Sequence, residues 1–177
     1  MASTGRWTSV SMPYASGQRG DVWAAEAAEH GGSGTQKLLS VEEVPASAVV
    51  SDMLDLNPGE PVVVRRRLML FNEHPVELTD SYYPATIARG TKLAEPRKIR
   101  GGAVALLADL GHPPRRVRED VSARLATPHE QAALELDALA CVLLLARVLL
   151  TDNDRPVEAS MMTMVAEGRR LRYELTP

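Results

Sequence analysis

The sequence predicts an α+β fold: an antiparallel sheet with flanking helices packed on one side. Three observations carry that expectation. Runs of strand length, rich in β-branched and aliphatic residues, are joined by short polar turns rather than by crossover helices, the pattern of antiparallel neighbours. Short helices with recognisable start and stop residues separate the strand pairs. The stretch 58–84, read as strand, polar turn and returning strand, also recurs near the C-terminus. A shift of 80 positions sets Leu54, Leu56, Val62, Arg67 and Leu70 on Leu134, Leu136, Val142, Arg147 and Leu150. After one extra residue in the second turn, Pro75, Val76 and Glu77 meet Pro156, Val157 and Glu158. Eight ordered identities, with a single-residue slip inside a turn, indicate an internally duplicated helix–strand–turn–strand unit.

Residues 1–35 hold six of the 12 glycines and five serines, the composition of a flexible arm or linker remnant ahead of a domain covering 36–177. Within it, residues 21–29 have the make-up of a short Ala-rich helix, capped by Asp21 and stopped by Gly31. Trp7, Tyr14 and Trp23 point to docking on the domain or on a partner. A strand is expected over 36–44 and a helix over 46–54, with Pro45 at its start and Asn57-Pro58-Gly59 as its break. The first long strand ends in a polar turn of Asn72, Glu73 and His74, and its return starts at Pro75. Residues 84–90 read as a helical turn and 92–100 as a charged, mobile loop. Val104, Leu106, Leu107 and Leu110 mark a helix over 103–110, stopped by Gly111. Residues 116–125 alternate as a strand with one wet face, spoiled only by Glu119 on the apolar side. Thr127-Pro128-His129-Glu130 is a helix start with cap, first-turn proline and a glutamate reaching back. Residues 141–150 are uniformly apolar, as in a central strand buried on both faces; 156–165 return from the turn at 152–155, and 170–175 make a last strand.

Composition narrows the function. A net charge of -3 argues against indiscriminate binding to nucleic acid or anionic membrane, and 4% aromatic residues leave little for base stacking. The single cysteine, Cys141, excludes an internal disulfide and reads as inert core in a reducing compartment. The longest apolar run, 138–146, falls short of the roughly 20 residues of a membrane helix. No apolar stretch marks secretion at the N-terminus, so a cytoplasmic protein is expected.

No nucleophile elbow, phosphate loop or dinucleotide fingerprint is present, and His30, His74, His112 and His129 lack metal-ligand spacing. No cofactor and no enzyme activity is implied. Arg67, Arg147 and Glu158 stand out at matching places in the repeated units. Arg147 interrupts an apolar strand, where a charge costs several kcal/mol unless paired or facing a polar cavity. Two readings stay open: an ion pair with Glu77 or Glu158, or a pocket holding a polar ligand. Arg65 and Arg67 share a face and Arg66 takes the other. The segment 97–118 carries six basic residues against Asp109 alone. It reads as solvated loop or as an approach for phosphate. Met161, Met162 and Met164 read as core filler or an adaptable pocket wall.

These residues carry a family likeness. From about Gln36 to Leu175 the chain resembles the UTRA domain, the effector-sensing half of HutC-type regulators in the GntR family. The matching pieces are Leu54-x-Leu56-x-x-Gly59-Glu60-Pro61-Val62, then Arg65 and Arg67 before a turn and Pro-Val, and Tyr83-Pro84 closing the hairpin. Gly101-Gly102 opening a helix that ends Leu110-Gly111-His112, the capped helix at Thr127, Arg147, the acidic turn and Pro156-Val157-Glu158 follow in order. The resemblance implies a chorismate-lyase-like fold and a homodimer that binds a small metabolite and controls an attached winged helix-turn-helix. No such DNA-binding element is expected within these residues, so contact with DNA would be indirect. Pocket positions carried over from sugar-phosphate-sensing members are Arg67, Gly102, Val104, Glu158 and Met164. Arg67 and Glu158 keep the expected chemistry. Met69 stands where a second Arg is usual and Thr79 where a carboxylate is. Gly102, Val104 and Met164 likewise replace hydroxyl-bearing residues. The expected effector is therefore less anionic and more apolar than a sugar phosphate. The candidate ligand-binding set is Arg65, Arg67, Met69, Thr79, Gly102, Val104, Arg147, Glu158 and Met164. Two rivals stand beside this reading: a lyase-like enzyme with Arg67 as clamp and Glu158 as acid, and an interaction module that pairs with full-length relatives through an exposed strand.

Overall fold

A computed structural model describes residues 7–10, 12–15 and 20–174. Six strands form one antiparallel sheet: β2 (Gly34–Pro45), β3 (Pro61–Phe71), β4 (His74–Pro84), β5 (Arg116–Leu125), β6 (Cys141–Leu150) and β7 (Pro156–Val165), in the order β2-β3-β4-β7-β6-β5. The short β1 (Trp7–Val10) and β8 (Arg169–Arg172) pair in parallel as a separate ribbon. The helices are α1 (Met12–Ala15), α2 (Val22–Glu29), α3 (Ala48–Leu54), α4 (Ala85–Ala88), α5 (Ala103–Asp109) and α6 (Pro128–Leu134), with a 3-10 turn at Lys92–Ala94. Among the described residues no helix is long and apolar enough to cross a membrane.

The duplication is a structural repeat. The unit is strand–helix–strand–strand, one strand longer at its start than the sequence alignment suggested: β2-α3-β3-β4 and then β5-α6-β6-β7. Equivalent caps stand 80 positions apart. Ser47 and Thr127 each cap a helix by accepting the N–H three residues on, and Asp55 and Glu135 each end one in the left-handed region at φ 54° and 56°. The halves meet along β4 and β7, where Glu77 pairs with Met164, Thr79 with Met162 and Ser81 with Ser160.

Alternation along the strands sends two sets of side chains to opposite faces. Val62, Val148 and Ala159 meet α3, and Leu68, Leu78 and Val142 meet α6. The neighbouring residues Val63, Tyr83 and Leu149 meet α4 and α5 on the other face, where Met69 meets Trp23 and Ala27 of α2. Helices therefore cover both faces rather than one. Of the stretch expected to be a loose arm, α2 is an ordered helix capped by Asp21, and its Trp23 is 3% exposed. The Trp23 indole donates to the carbonyls of Thr35 and Leu70. Gly34 makes this approach possible, since a Cβ there would lie 2.8 Å from Ala27 and Trp23. The expected last strand, 170–175, is observed over 169–172 as β8, its final residue lying outside the described residues.

Three further expectations are corrected. The β3–β4 turn has only two residues, Asn72 and Glu73, both at positive φ, so the returning strand begins at His74. This is the condition for the tight hairpin turn whose twist matches its strands. The central strands are β4 and β7. Strand β6 is next to the edge, with Cys141 exposed and Leu143, Leu144 and Ala146 half-buried. Strand β5 is an edge strand and is exposed over most of both faces, Val121 and Leu125 included. Periodicity reports which residues share a face, not what covers it.

The helix start at Thr127 is a complete capping box: the Thr127 hydroxyl accepts the Glu130 N–H, and the Glu130 carboxylate accepts the Thr127 N–H. Arg124 donates twice to the same carboxylate at 2.7 Å. These bonds, that to Arg124 foremost, hold the Glu130 carboxyl at about 2, below its ordinary 4.5. A carboxyl depressed on folding contributes stability above its unfolded value and loses it as pH falls through the folded one. Glu130→Gln keeps the cap geometry but not the charge. Its melting temperature should fall less steeply than that of the wild type between pH 4.5 and about 2, as read by circular dichroism.

Candidate functional site

Where the two halves meet, the α2/α5 face of the sheet carries a cavity of about 920 Å³. Its floor is polar and belongs to both repeats. Ser160 Oγ donates to Glu158 Oε1 at 2.7 Å and lies 2.7 Å from Ser81 Oγ; Ser81 Oγ in turn accepts from the Arg67 guanidinium at 2.7 Å. Because Ser160 spends its proton on the carboxylate, Ser81 must donate to Ser160. The chain therefore runs one way, from Arg67 through two hydroxyls to Glu158. Hydrogen bonds to charged groups contribute about 1.5–3 kcal/mol each, which offsets part of the cost of burying the Glu158 carboxylate. Tyr83 lies beside this chain, and burial, then the Glu158 charge, push its hydroxyl well above the usual tyrosine range.

Two buried ion pairs flank the floor. Arg147 Nε donates to Glu119 Oε1 at 2.6 Å, with both side chains under a tenth exposed. The partner is Glu119, not Glu77 or Glu158, and the charge that spoiled the apolar side of β5 is explained by it. Removing one member of such a pair costs about 3–5 kcal/mol, because the other is left buried and uncompensated. Arg169 of β8 donates to Glu77 Oε2 at 3.1 Å, while Thr79 donates to Glu77 Oε1. Arg169 also lies over the Trp23 ring, 5.9 Å from its centroid.

The N-terminal elements close the cavity. Glu26 of α2 accepts from Ser9 at 2.7 Å and from the Tyr14 hydroxyl, and the Tyr14 ring sits under the Arg147 guanidinium at 5.6 Å. Burial and Glu26 hold the Tyr14 hydroxyl neutral, far above its ordinary value. On the opposite rim, the 92–102 loop brings Lys98, paired with Asp21, together with Arg100. Gly101 and Gly102 both have φ 86°, a conformation costly for any other residue, and they turn the chain into α5 at the cavity edge. Met69, Leu145, Met162 and Met164 supply an apolar wall.

Eight of the nine sequence candidates thus meet around one cavity: Arg67, Met69, Thr79, Gly102, Val104, Arg147, Glu158 and Met164. Arg65 lies behind it. Its guanidinium donates to the carbonyls of Leu93 and Glu95 at 2.8 Å and of Arg97 at 2.6 Å, fastening the loop that was expected to be mobile. Arg66 takes the other face, beside Glu42 and Asp80. Met161 is exposed, whereas Met162 and Met164 line the cavity. Sequence reasoning missed Glu26, Ser81, Ser160 and Arg169, and marked Tyr14 only as a docking residue. The Glu-x-hydroxyl spacing shared by Glu77/Thr79 and Glu158/Ser160 was a usable signal, but nothing marked the others. Among the described residues no group of three or more His, Cys, Asp or Glu is placed to hold a metal ion.

Comparison with known proteins assigns this antiparallel sheet to a family. A model of the UTRA domain family matches residues 29–168. A transcriptional regulator of the helix-turn-helix type from Rhizobium meliloti is 31% identical over 139 residues, covering 78% of this chain and 56% of the relative. Another from Streptomyces coelicolor is 31% identical over 104 residues, covering 57% of this chain and 39% of the relative. The chain thus spans about half the length of these relatives, or less. PhnF from Mycobacterium smegmatis shares the fold with a TM-score of 0.80 at 20% identity, over 97% of this chain and 72% of that one. The ligand-binding domain of a regulator assigned to the GntR family from Bordetella bronchiseptica superposes with a TM-score of 0.72 at 25% identity, over 81% of this chain and 89% of that one. The chain belongs to the UTRA domain family. It is a UTRA domain of the GntR-family transcriptional regulators, and the relatives it matches are regulators rather than enzymes.

The role of Arg65 is directly measurable. Arg65→Lys keeps the charge but cannot reach three carbonyls in a fixed fork. Leaving buried acceptors unmet costs about 1–3 kcal/mol each. Hydrogen exchange should therefore accelerate across residues 91–98 while the amides of β4 and β7 stay protected; unchanged exchange in the loop would remove this role.

Proposed function

We propose that this chain is the effector-sensing and dimerising domain of a HutC-type cytoplasmic regulator, acting on transcription through an attached or partner DNA-binding domain. The observation that carries the reading is the 920 Å³ cavity with a half-buried Arg67 and a buried Glu158 on its floor. That volume lies within the range of small-molecule sites, about 300–1,000 Å³, and a few convergent polar groups on a largely apolar wall are what such sites use. Met69, Thr79, Val104 and Met164 line it without supplying the charges a phosphoryl group needs, which favours an effector less anionic and more apolar than a sugar phosphate.

A thermal-shift screen against a broad metabolite panel tests the reading. One or more compounds should raise the melting temperature of the wild type by several degrees but not those of Arg67→Ala and Glu158→Ala. Strong stabilisation by a hexose phosphate would overturn the proposed effector class.

For dimerisation, the supporting surface is the β5 edge. Val121 and Leu125 lie exposed there beside Leu139, which is 82% exposed. An open edge with apolar side chains invites a second copy. Sedimentation should show a dimer that Leu139→Asp shifts towards monomer, with an unchanged circular dichroism spectrum.

A further inference from the structure

We propose that the cavity selects a ligand carrying a cationic nitrogen donor and a carboxylate-type acceptor on an apolar body, held between Glu158 and Arg67. The proposal rests on the effector-sensing reading above and specifies its chemistry.

The internal duplication supplies the comparison, because each half shows what the other lacks. In the second half, Arg147 gives its Nε proton to Glu119, its cross-strand neighbour on β5. The residue in the same register beside Arg67 is Leu38 on β2, and Arg67 Nε is buried without an acceptor. In the first half, Glu77 takes a hydroxyl on Oε1 and the Arg169 guanidinium on Oε2. Glu158 takes the equivalent hydroxyl on Oε1 at the same 2.7 Å, and its Oε2 is buried without a donor. Each half thus completes one ion pair and leaves the counterpart of the other open. Glu158 is 7% exposed, and its Oε2 lies out of reach of bulk solvent. The hydroxyl chain between the two residues occupies Arg67 Nη2 and Glu158 Oε1, so the open atoms lie outside it.

A ligand cation placed as Arg169 is for Glu77, and a ligand carboxylate placed as Glu119 is for Arg147, would complete both pairs at once. The terminal torsion of a glutamate is broad and two-fold, so a modest turn of the Glu158 carboxylate presents Oε2 to the cavity that its residue lines. A ligand with only an acidic group would leave the Glu158 charge buried and face its repulsion. One with only a cation would do the same at Arg67. The wall of Met69, Leu145, Met162 and Met164 takes the apolar body.

Matched probes separate the terms. Phenylalanine and leucine carry both groups; phenylpropanoate and methylpentanoate lack the amine, and phenethylamine and isopentylamine lack the carboxylate. At about 100-fold above Kd, a compound with both groups should raise the melting temperature of the wild type by about 5 °C, and each of its counterparts by less than half as much. Leu38→Glu gives Arg67 an internal partner and should abolish the response. Glu158→Gln keeps the side-chain shape and should erase the advantage of the amino acid over its deaminated counterpart. If the acids or a hexose phosphate stabilise as well as the amino acids do, or if Glu158→Gln keeps the preference, the ligand class is wrong while the cavity remains a ligand site. If no probe and no compound of the broad panel stabilises the wild type, the effector-sensing reading fails, and this proposal with it.

Discussion

The line of hydrogen bonds from Arg67 through Ser81 and Ser160 to Glu158 ties the two halves of this domain together. Its direction is set by the groups at its ends, since a guanidinium only donates and a carboxylate only accepts. It exists only because β4 and β7 pair with Ser81 opposite Ser160. A slip of one residue would turn these side chains to the other face and leave charges among the apolar contacts of α3 and α6. The register of the sheet centre and the charge pattern of the cavity floor are therefore one constraint.

The two faces divide the work accordingly. On one, α3 and α6 bury aliphatic side chains in equivalent clusters, one per repeat, and the burial needs no polar compensation. On the other, the same strands present Arg67, Glu77, Arg147 and Glu158; Arg67, Arg147 and Glu77 reach residues distant in sequence, while Glu77 and Glu158 each also take a hydroxyl two residues on. Such charges are tolerable only as pairs, so this face cannot close into a dry core. It closes instead over a cavity, roofed by α2, the 92–102 loop and the segment carrying Tyr14. Arg65 holds the loop by its carbonyls and Glu26 holds the segment by its hydroxyls. The roof is thus fastened by a few specific polar contacts, while the floor belongs to the sheet.

Much of this architecture was legible beforehand. Helix boundaries could be read because capping is local: Thr127 and Glu130 need only each other, and Gly111 needs only its own backbone freedom. The duplication could be read because residues that share a fold position keep their spacing, down to the slip between Asn72 and Asp152. Most of the cavity positions could be read through the family likeness, which pointed to Arg67, Met69, Thr79, Gly102, Val104, Glu158 and Met164, while Arg147 stood out as a charge in an apolar strand. Arg65 was expected in that space and instead braces the loop beside it; both uses look the same in an alternating strand.

The sequence by itself determined the α+β class, the repeat, the caps and the presence of strand charges needing partners, because local geometry and periodicity encode these. Only the tertiary structure decided who the partners are. Glu119 rather than Glu77 or Glu158 neutralises Arg147, and Arg169 from the short β1–β8 ribbon neutralises Glu77. It also decided that 141–150 lies beside an edge rather than at the centre, and that α2 docks beneath a glycine. The reason is physical: strand order and the pairing of buried charges depend on contacts between residues far apart in the chain, and no local pattern records which of several chemically equivalent partners comes within reach.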